Sequence, residues 1–389
     1  MSLIILGSTG SVGTQAVEVA RKLGIKVAAL TCGSDIKLLE EQARMLGVSA
    51  CAAADKSAAR ELRVALADTD IKIYSGEDGI CELIAEPRTR KSYAGCEADK
   101  VLVAISGIAG LRPTLAAIDA GYDVALANKE TLVTAGRLVM AHAKTRGVKI
   151  LPVDSEHSAI FQCLTHPEAV SRLILTASGG PFFGKTRRDT ASVTPGQALG
   201  HPTWKMGPRV TIDSSTLMNK GFEVIEAARL YDIPTDRIEV VVHRESIIHS
   251  MVEYIDNASI AQLSLPDMRL CISYALTYPN RACGLTGRLN LADIGRLTFY
   301  KPDFENFPLL GLAYDAESRS DAARVALNAA DEIAVELFLQ GKIGYNDISE
   351  LVTAVVRGAR DEDYGDCDRI IAADREFREK TKNLLGDTL

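Results

Sequence analysis

The stretch PVDSEHSAI, residues 152–160, places two carboxylates, Asp154 and Glu156, on either side of Ser155. On an extended chain that spacing points both acids the same way. Two like charges side by side repel unless a cation lies between them. Oxygen ligands of this type suit Mg²⁺ or Mn²⁺, which keep waters or substrate oxygens in their remaining positions. The plainer reading is a strand end followed by acids in the first turn of a helix, where the helix dipole favours them. A second acidic position would decide for a metal, and TIDSSTLMNKGFEVIEA (211–227) offers Glu223. Apolar residues at 217, 218, 222, 224, 225 and 228 predict a helix there, with Ser214 or Ser215 as N-cap. Asn219 and Glu223 then share a face, with Lys220 beside them. Ser214, Asn219 and Lys220 near a helix N-terminus have the chemistry of a phosphate pocket. The alternative is an amphipathic helix with a Lys220–Glu223 surface pair.

Three more stretches carry chemistry. LGSTGSVG (6–13) has glycines at 7, 10 and 13 between a predicted strand and a predicted helix. That pattern allows a tight turn and brings backbone N–H groups to a pyrophosphate at the helix N-terminus. NAD enzymes usually carry an acid at the end of the second strand for the ribose hydroxyls. Here Thr31 and Cys32 stand in that place, which leaves room for the 2′-phosphate of NADP, although Asp35 is close enough to disfavour one. ALANKETLV (125–133) puts Asn128, Lys129 and Glu130 at a strand end opening a helix, where ligands of open parallel sheets bind; a Lys–Glu pair on a solvated first turn is the alternative. TASGGPFFG (176–184) and GHPTWKMGPR (200–209) bracket a Gly/Pro/Ser/Thr-rich segment, about 179–208, that contains the single tryptophan, Trp204. Long segments without periodicity are often lids, so this one is expected to fold over a substrate and exclude water, with Ser178 and His201 at its ends as phosphate ligands.

The elements that must position these residues follow from periodicity. SLIIL (2–6), IKVAALT (25–31), VSACAAA, DKVLVAIS, YDVALAN and VKILPV are strand-like, with helical pattern between them, including 12–23 and a helix that Asp35 caps. This alternation predicts an α/β fold: a doubly wound parallel sheet of Rossmann type over about the first 150 residues. A mixed central part follows, with a strand at RIEVVVH (237–243), and then an almost wholly helical stretch from about 305. The expected parts are 1–148 for a dinucleotide, 149–300 for catalysis with the lid, and a C-terminal helical bundle at 301–389. At 389 residues, 47% hydrophobic, 24% charged and net charge −7, the chain has an ordinary globular composition, and it has no basic cluster interleaved with aromatics that would mark a nucleic-acid partner. It has no apolar run of membrane-spanning length and enters a strand without a leader; its eight scattered cysteines fit reduced thiols, so a cytoplasmic enzyme or sensor is expected.

Taken with IIHSMVEY, PDMR and LNAADEIAV, these motifs occur in the order and spacing of one family from end to end. The sequence resembles the 1-deoxy-D-xylulose 5-phosphate reductoisomerase family, NADP-dependent enzymes of the non-mevalonate isoprenoid pathway. The resemblance implies that Asp154, Glu156 and Glu223 bind one divalent cation (Mg²⁺, Mn²⁺ or Co²⁺), and that Ser155 and Lys129 contact the hydroxyl and carbonyl region of a sugar phosphate. It makes Ser178, His201, Ser214, Asn219 and Lys220 the phosphate site, and assigns Trp204 and Met206 to the lid. Thr9, Gly10, Ser11 and Val12 would line NADPH beside Gly7, as would Asn128, Glu130 and Gly207, and His249 would stand near the reacting end of the substrate. Gly33, Ser34 and Asp35 would lie at the cofactor ribose. Many members carry a basic residue or Asn just after that glycine, so the strength of the NADPH preference is open here. A homodimer is also implied. The implied reaction breaks and re-forms a carbon–carbon bond, as retro-aldol then aldol steps, and reduces the branched aldehyde to 2-C-methyl-D-erythritol 4-phosphate. Two rivals are a semialdehyde dehydrogenase, which would need Cys163 as nucleophile although it looks like core, and a noncatalytic NADP-binding sensor.

Overall fold

The computed structural model describes residues 2–86, 98–204 and 206–386; Cys96 and Lys205 lie outside the described residues. The chain packs as two compact units, 1–131 with 139–158 and 267–287, and 132–138 with 159–266 and 288–389. The expected parts follow roles along the sequence, whereas these units follow packing, and each is assembled from three separated lengths of chain.

In the first unit the strand–helix alternation builds a seven-stranded sheet in the order β4-β3-β2-β1-β5-β6-β7. The strands are β1 Ser2–Leu6, β2 Lys26–Cys32, β3 Ala50–Ala53, β4 Lys72–Ser75, β5 Ala98–Val103, β6 Asp123–Leu126 and β7 Ile150–Pro152. All pair in parallel, and β1 is buried along its whole length, which is why it reads as a nearly unbroken apolar run. The strand order reverses between β1 and β5, and open sheets bind ligands outside the carboxyl ends of their strands at such a switch point. Asp35 caps the helix Ile36–Leu46 as expected, accepting the Leu38 N–H at 3.2 Å. β4 was not foreseen, because KIYS is short and only one of its residues is fully buried. The helix Met268–Thr277 also belongs to this unit. Buried Lys100, on β5, donates from Nζ to the carbonyls of Ala275, Leu276 and Tyr278 at 3.1, 2.9 and 3.0 Å, and so satisfies the negative end of that helix. Arg269 ties its start to Glu18 on the helix Ser11–Lys22 at 3.0 Å.

The second unit has a four-stranded sheet in the order β11-β10-β8-β9, formed by β8 Val170–Ala177, β9 Ile238–Val242, β10 Ile248–Tyr254 and β11 Ser259–Leu263. β8 and β9 are parallel and the other pairings antiparallel. The helices Met218–Tyr231, Leu309–Arg319, Asp321–Leu339 and Tyr345–Arg357 share one core with the sheet, in which Leu173, Val240, Phe222, Leu310, Leu327 and Val352 are buried together. The 367–386 helix packs against the same bundle through Phe377.

Two local expectations are corrected here. Ser214 and Ser215 do not cap the 218–231 helix, because they form the last turn of a separate helix, Pro208–Ser215. The chain breaks at Thr216 and Leu217, the latter at φ 62°, before the next helix starts. The segment about 179–208 is also more regular than expected. It holds two short helices, Arg187–Thr190 and Pro195–Ala198, each opened by a reciprocal capping box, from Thr186 with Asp189 and from Thr194 with Gln197.

The 218–231 and 309–319 helices pack closely at Gly221, where a Cβ would lie 2.6 Å from the Cβ of Ala313. Gly221→Val should therefore lower stability by about 1–3 kcal/mol, the usual cost of overpacking. Adding Ala313→Gly should recover part of the loss. Urea midpoints of the two variants check this, and an unchanged midpoint in Gly221→Val would contradict the contact.

Candidate functional site

In the first unit, the turn after β1 is held by groups that the motif does not contain. The Thr31 hydroxyl, at the end of β2, accepts the Gly7 N–H at 2.9 Å, and Gln42 from the next helix donates to the Ser8 carbonyl at 3.0 Å. Thr31 thus occupies the place of the missing acid as a brace for the turn. A Cβ on Gly13 would lie 2.0 Å from the Gly7 carbonyl oxygen, so glycine is required for the helix to start this close to the strand. No side chain caps the 11–22 helix at Gly10, and Gly10 and Ser11 are exposed, leaving its first N–H groups open to an anion. Gly33, Ser34 and Asp35 are exposed at the end of β2.

Asn128 caps the helix Lys129–Arg146 by accepting the Thr131 N–H at 3.0 Å, and donates to the Gly107 carbonyl at 3.0 Å and to Glu130 at 2.8 Å. Glu130 accepts the Gly107 N–H at 3.2 Å, so both side chains shape the loop after β5. Lys129 pairs with Asp154 at 2.8 Å, and both side chains are mostly buried, 14% and 12% exposed. The paired acids are not on an extended strand: β7 ends at Pro152, Asp154 precedes the helix Ser155–Cys163, and Glu156 lies in its first turn, accepting the Ser155 hydroxyl at 2.5 Å. This is the plainer local geometry, and the helix dipole supports both charges. Burial alone would raise the Asp154 pKa, but the Lys129 ammonium, His157 and a hydrogen bond with Glu156 outweigh it and hold the carboxyl well below the usual carboxylate range. An oxygen-only pair on a helix N-terminus, with Asp154 ionised, fits a hard divalent cation.

In the second unit, His201 gathers the polar residues. Its Nδ1 accepts the backbone N–H groups of Thr203 at 3.2 Å and Trp204 at 2.9 Å. A neutral ring that accepts at Nδ1 carries its proton on Nε2, and Nε2 lies 2.9 Å from Ser178 Oγ and 3.1 Å from Ser214 Oγ. Burial first, and then the charge of Arg244, push the His201 pKa down to about 4. Trp204 meets the His249 ring edge-on at 6.0 Å, and His249 Nε2 is 3.3 Å from the Ser264 carbonyl. Glu223, 1% exposed, pairs with Lys220 and accepts from Asn219 at 2.6 Å, so Asn219, Lys220 and Glu223 share one helix face as predicted but in a buried setting rather than as a surface pair. Met206 is half-buried, and Gly207 is the N-cap of the 208–215 helix. Cys163 is buried core, which removes it as a nucleophile.

Sequence reasoning missed Thr31, Gln42 and two arginines. Arg209 reaches Glu332 at 2.8 Å and Asn328 at 3.3 Å, tying the 208–215 helix to the 321–339 helix. Arg244 holds the turn after β8. No local pattern in the sequence marks the contacts these residues make.

Family models add an independent comparison. The model described as 1-deoxy-D-xylulose 5-phosphate reductoisomerase matches residues 3–136, that of its C-terminal domain residues 150–231, and a DXP reductoisomerase C-terminal domain model residues 263–380. The chain belongs to the 1-deoxy-D-xylulose 5-phosphate reductoisomerase family. It is 49% identical over 383 residues, 97% of each chain, to the 1-deoxy-D-xylulose 5-phosphate reductoisomerase of Caldanaerobacter subterraneus subsp. tengcongensis. The solved reductoisomerase of Zymomonas mobilis, in complex with NADPH, superposes with a TM-score of 0.90 at 39% identity, covering 98% of each chain. A crystal structure of DOX-P reductoisomerase in complex with NADPH, fosmidomycin and magnesium gives 0.92 at 38% identity, again covering 98% of each.

The neutral His201 has a consequence for stability. The unfolded side chain takes a proton near 6.5 and the folded one near 4. Between these values the unfolded chain binds more protons, so stability is full above about pH 6.5 and falls as the pH drops towards 4. His201→Gln should flatten this slope in urea midpoints measured across pH 4–7. Equal slopes in both proteins would mean that the imidazole is not held neutral.

Proposed function

We infer that the chain converts 1-deoxy-D-xylulose 5-phosphate to 2-C-methyl-D-erythritol 4-phosphate, in the non-mevalonate route to isoprenoid precursors, with NADPH and one divalent cation. The observation that carries this is the end-to-end family match, with a solved relative that holds NADPH, fosmidomycin and magnesium.

The residue roles are proposed on the chemistry of each group. Asp154, Glu156 and Glu223 are the cation ligands, supported by their all-oxygen donor set and the ionised state of Asp154. The Gly7–Gly13 turn and the open N–H groups of the 11–22 helix hold the pyrophosphate, while Asn128 and Glu130 shape the neighbouring loop for the nicotinamide end. Ser178, His201, Ser214, Asn219 and Lys220 take the phosphate of the substrate, with His201 donating from Nε2. Bound there, NADPH supplies a hydride for the branched aldehyde, and the cation supplies Lewis acidity at the ketone and hydroxyl oxygens. Lys129 and Ser155 orient those oxygens, and Lys129 keeps Asp154 ionised. The phosphate ligands hold the far end of the substrate, so their binding energy positions the reacting carbons. Trp204 and Met206 cover the substrate and exclude water, and His249 stays behind the indole as its packing partner.

The parts expected from the sequence are proposed as roles: 1–148 for the cofactor, 149–300 for catalysis, and 301–389 as support. Among the described residues no helix is long and apolar enough to cross a membrane. A cytoplasmic homodimer is proposed; the edge position of β11 and the exposure of Ile260 on it support pairing with a second copy.

Purified protein should oxidise NADPH only when both the sugar phosphate and Mg²⁺ are present, and EDTA should stop it. Glu223→Gln should lose several kcal/mol of transition-state stabilisation, at least about a hundredfold in rate, with NADPH binding retained. Near-normal turnover in that variant would remove Glu223 from the ligand set.

Asp35 allows a separate test of coenzyme choice. Asp35→Asn keeps the helix cap and removes one exposed negative charge. It should raise the preference for NADPH over NADH in kcat/KM by about threefold or more, the scale of one charge–charge contact near water. An unchanged ratio would place the 2′-phosphate away from Asp35.

A further inference from the structure

The sequence does not mark Arg244, and neither the cation ligands nor the phosphate ligands include it. It follows β9 by two residues, and its Nη1 donates to the carbonyls of Ser178 at 2.5 Å and Gly180 at 2.7 Å. The guanidinium lies over the Phe183 ring at 5.1 Å. Both carbonyls belong to one turn, in which Gly179 and Gly180 are left-handed at φ 76° and 64°. A Cβ on Gly180 would come within 2.8 Å of the Ser214 carbonyl, so the turn lies directly against the end of the 208–215 helix. The hydroxyl of the same turn, Ser178 Oγ, accepts the Gly180 N–H at 3.2 Å and meets His201 Nε2.

Burial lowers the Arg244 pKa and outweighs the opposing charges of Glu245 and Tyr300. Among the described residues no carboxylate is within ion-pair distance of it. The adjacent acid, Glu245, turns instead to Thr298, whose hydroxyl it accepts at 2.7 Å, and to His243 at 3.0 Å. A half-buried cation is costly, and an incoming phosphate dianion would offset that cost. Its field already reaches the site, since it is one of the two causes that keep His201 neutral.

We propose that Arg244 is a positioning residue of the phosphate site, fixing the Ser178–Gly180 turn and adding positive charge beside His201 for a phosphomonoester. The proposal rests on the phosphate reading given above. Arg244 acts through the turn and through its charge, in the free protein and the complex alike. Its loss should therefore weaken uniform binding and appear in KM more than in kcat.

The test combines steady-state kinetics of the NADPH- and Mg²⁺-loaded enzyme with an NMR titration of the His201 ring, assigned by comparison with His201→Gln. Arg244→Met should raise KM for the sugar phosphate about tenfold or more, the range for a hydrogen-bonded charge, with kcat changed far less. The His201 pKa should rise in that variant, and inorganic phosphate should perturb the ring more weakly than in the wild type. Arg244→Lys should restore part of KM. Wild-type KM in a folded Arg244→Met protein overturns the proposal. So does an equal rise in KM for the Met and Lys variants with His201 titrating as in the wild type, because that is a brace without a charge role. Should the Met variant not fold, Arg244→Gln keeps a donor for the turn and removes the charge; it should raise both KM and the His201 pKa, and wild-type values would overturn the proposal. If neither inorganic phosphate nor substrate perturbs His201 in the wild type, the phosphate site itself is misassigned. That outcome differs from one in which the wild type responds and the variants match it.

Discussion

A neutral imidazole that accepts two backbone N–H groups at one nitrogen has only one nitrogen left to donate from, and the second unit is arranged around that constraint at His201. Its Nδ1 takes the N–H groups of Thr203 and Trp204, which fixes the path of the chain through the indole. Its Nε2 then faces two hydroxyls from separate elements, Ser178 at the end of β8 and Ser214 in the 208–215 helix. One ring therefore joins three segments and orients the donors that a phosphate would meet. The surrounding packing keeps these parts in register. Tyr345 donates to the Ser215 carbonyl at 2.7 Å, and Arg209 links the start of the same helix to Glu332. The C-terminal helices thus hold the helix that carries Ser214.

The acids follow a second rule. Each buried carboxylate that is a candidate ligand has an ammonium of its own unit beside it, Lys129 for Asp154 and Lys220 for Glu223. A charge taken out of water without a partner costs several kcal/mol. These lysines make the acids tolerable in the folded chain before any divalent ion arrives. Lys129 also keeps Asp154 ionised, which is the form a metal requires.

Much of this was legible from residue types and spacing. Parallel strands buried on both faces leave unbroken apolar runs, and six of the seven strands of the first sheet were found that way. Asp35 was recognisable as a cap because Asp before an apolar-periodic run has a physical role there. Other features left weaker traces. KIYS is too short and too exposed to resemble a strand. The break at Thr216 and Leu217 falls inside a pattern that remains periodic, so two helices looked like one. The boxes Thr186–Asp189 and Thr194–Gln197 were present in the sequence as T-x-x-D and T-x-x-Q, yet they were hidden within a segment whose glycines and prolines suggested irregularity. Thr31 and Arg244 act through backbone groups far along the chain, and no local pattern announces such partners.

Lys100 has a consequence for how the chain can be made. Its ammonium is buried in the sheet of the first unit, and its three carbonyl partners lie 175, 176 and 178 residues further on. A ribosome delivers residues in order, so the sheet is translated long before the groups that satisfy this cation leave the exit tunnel. Until then Lys100 lacks these three acceptors. The first unit is therefore not finished when its last strand emerges. It waits for residues 267–287, its third length of chain, to be synthesised.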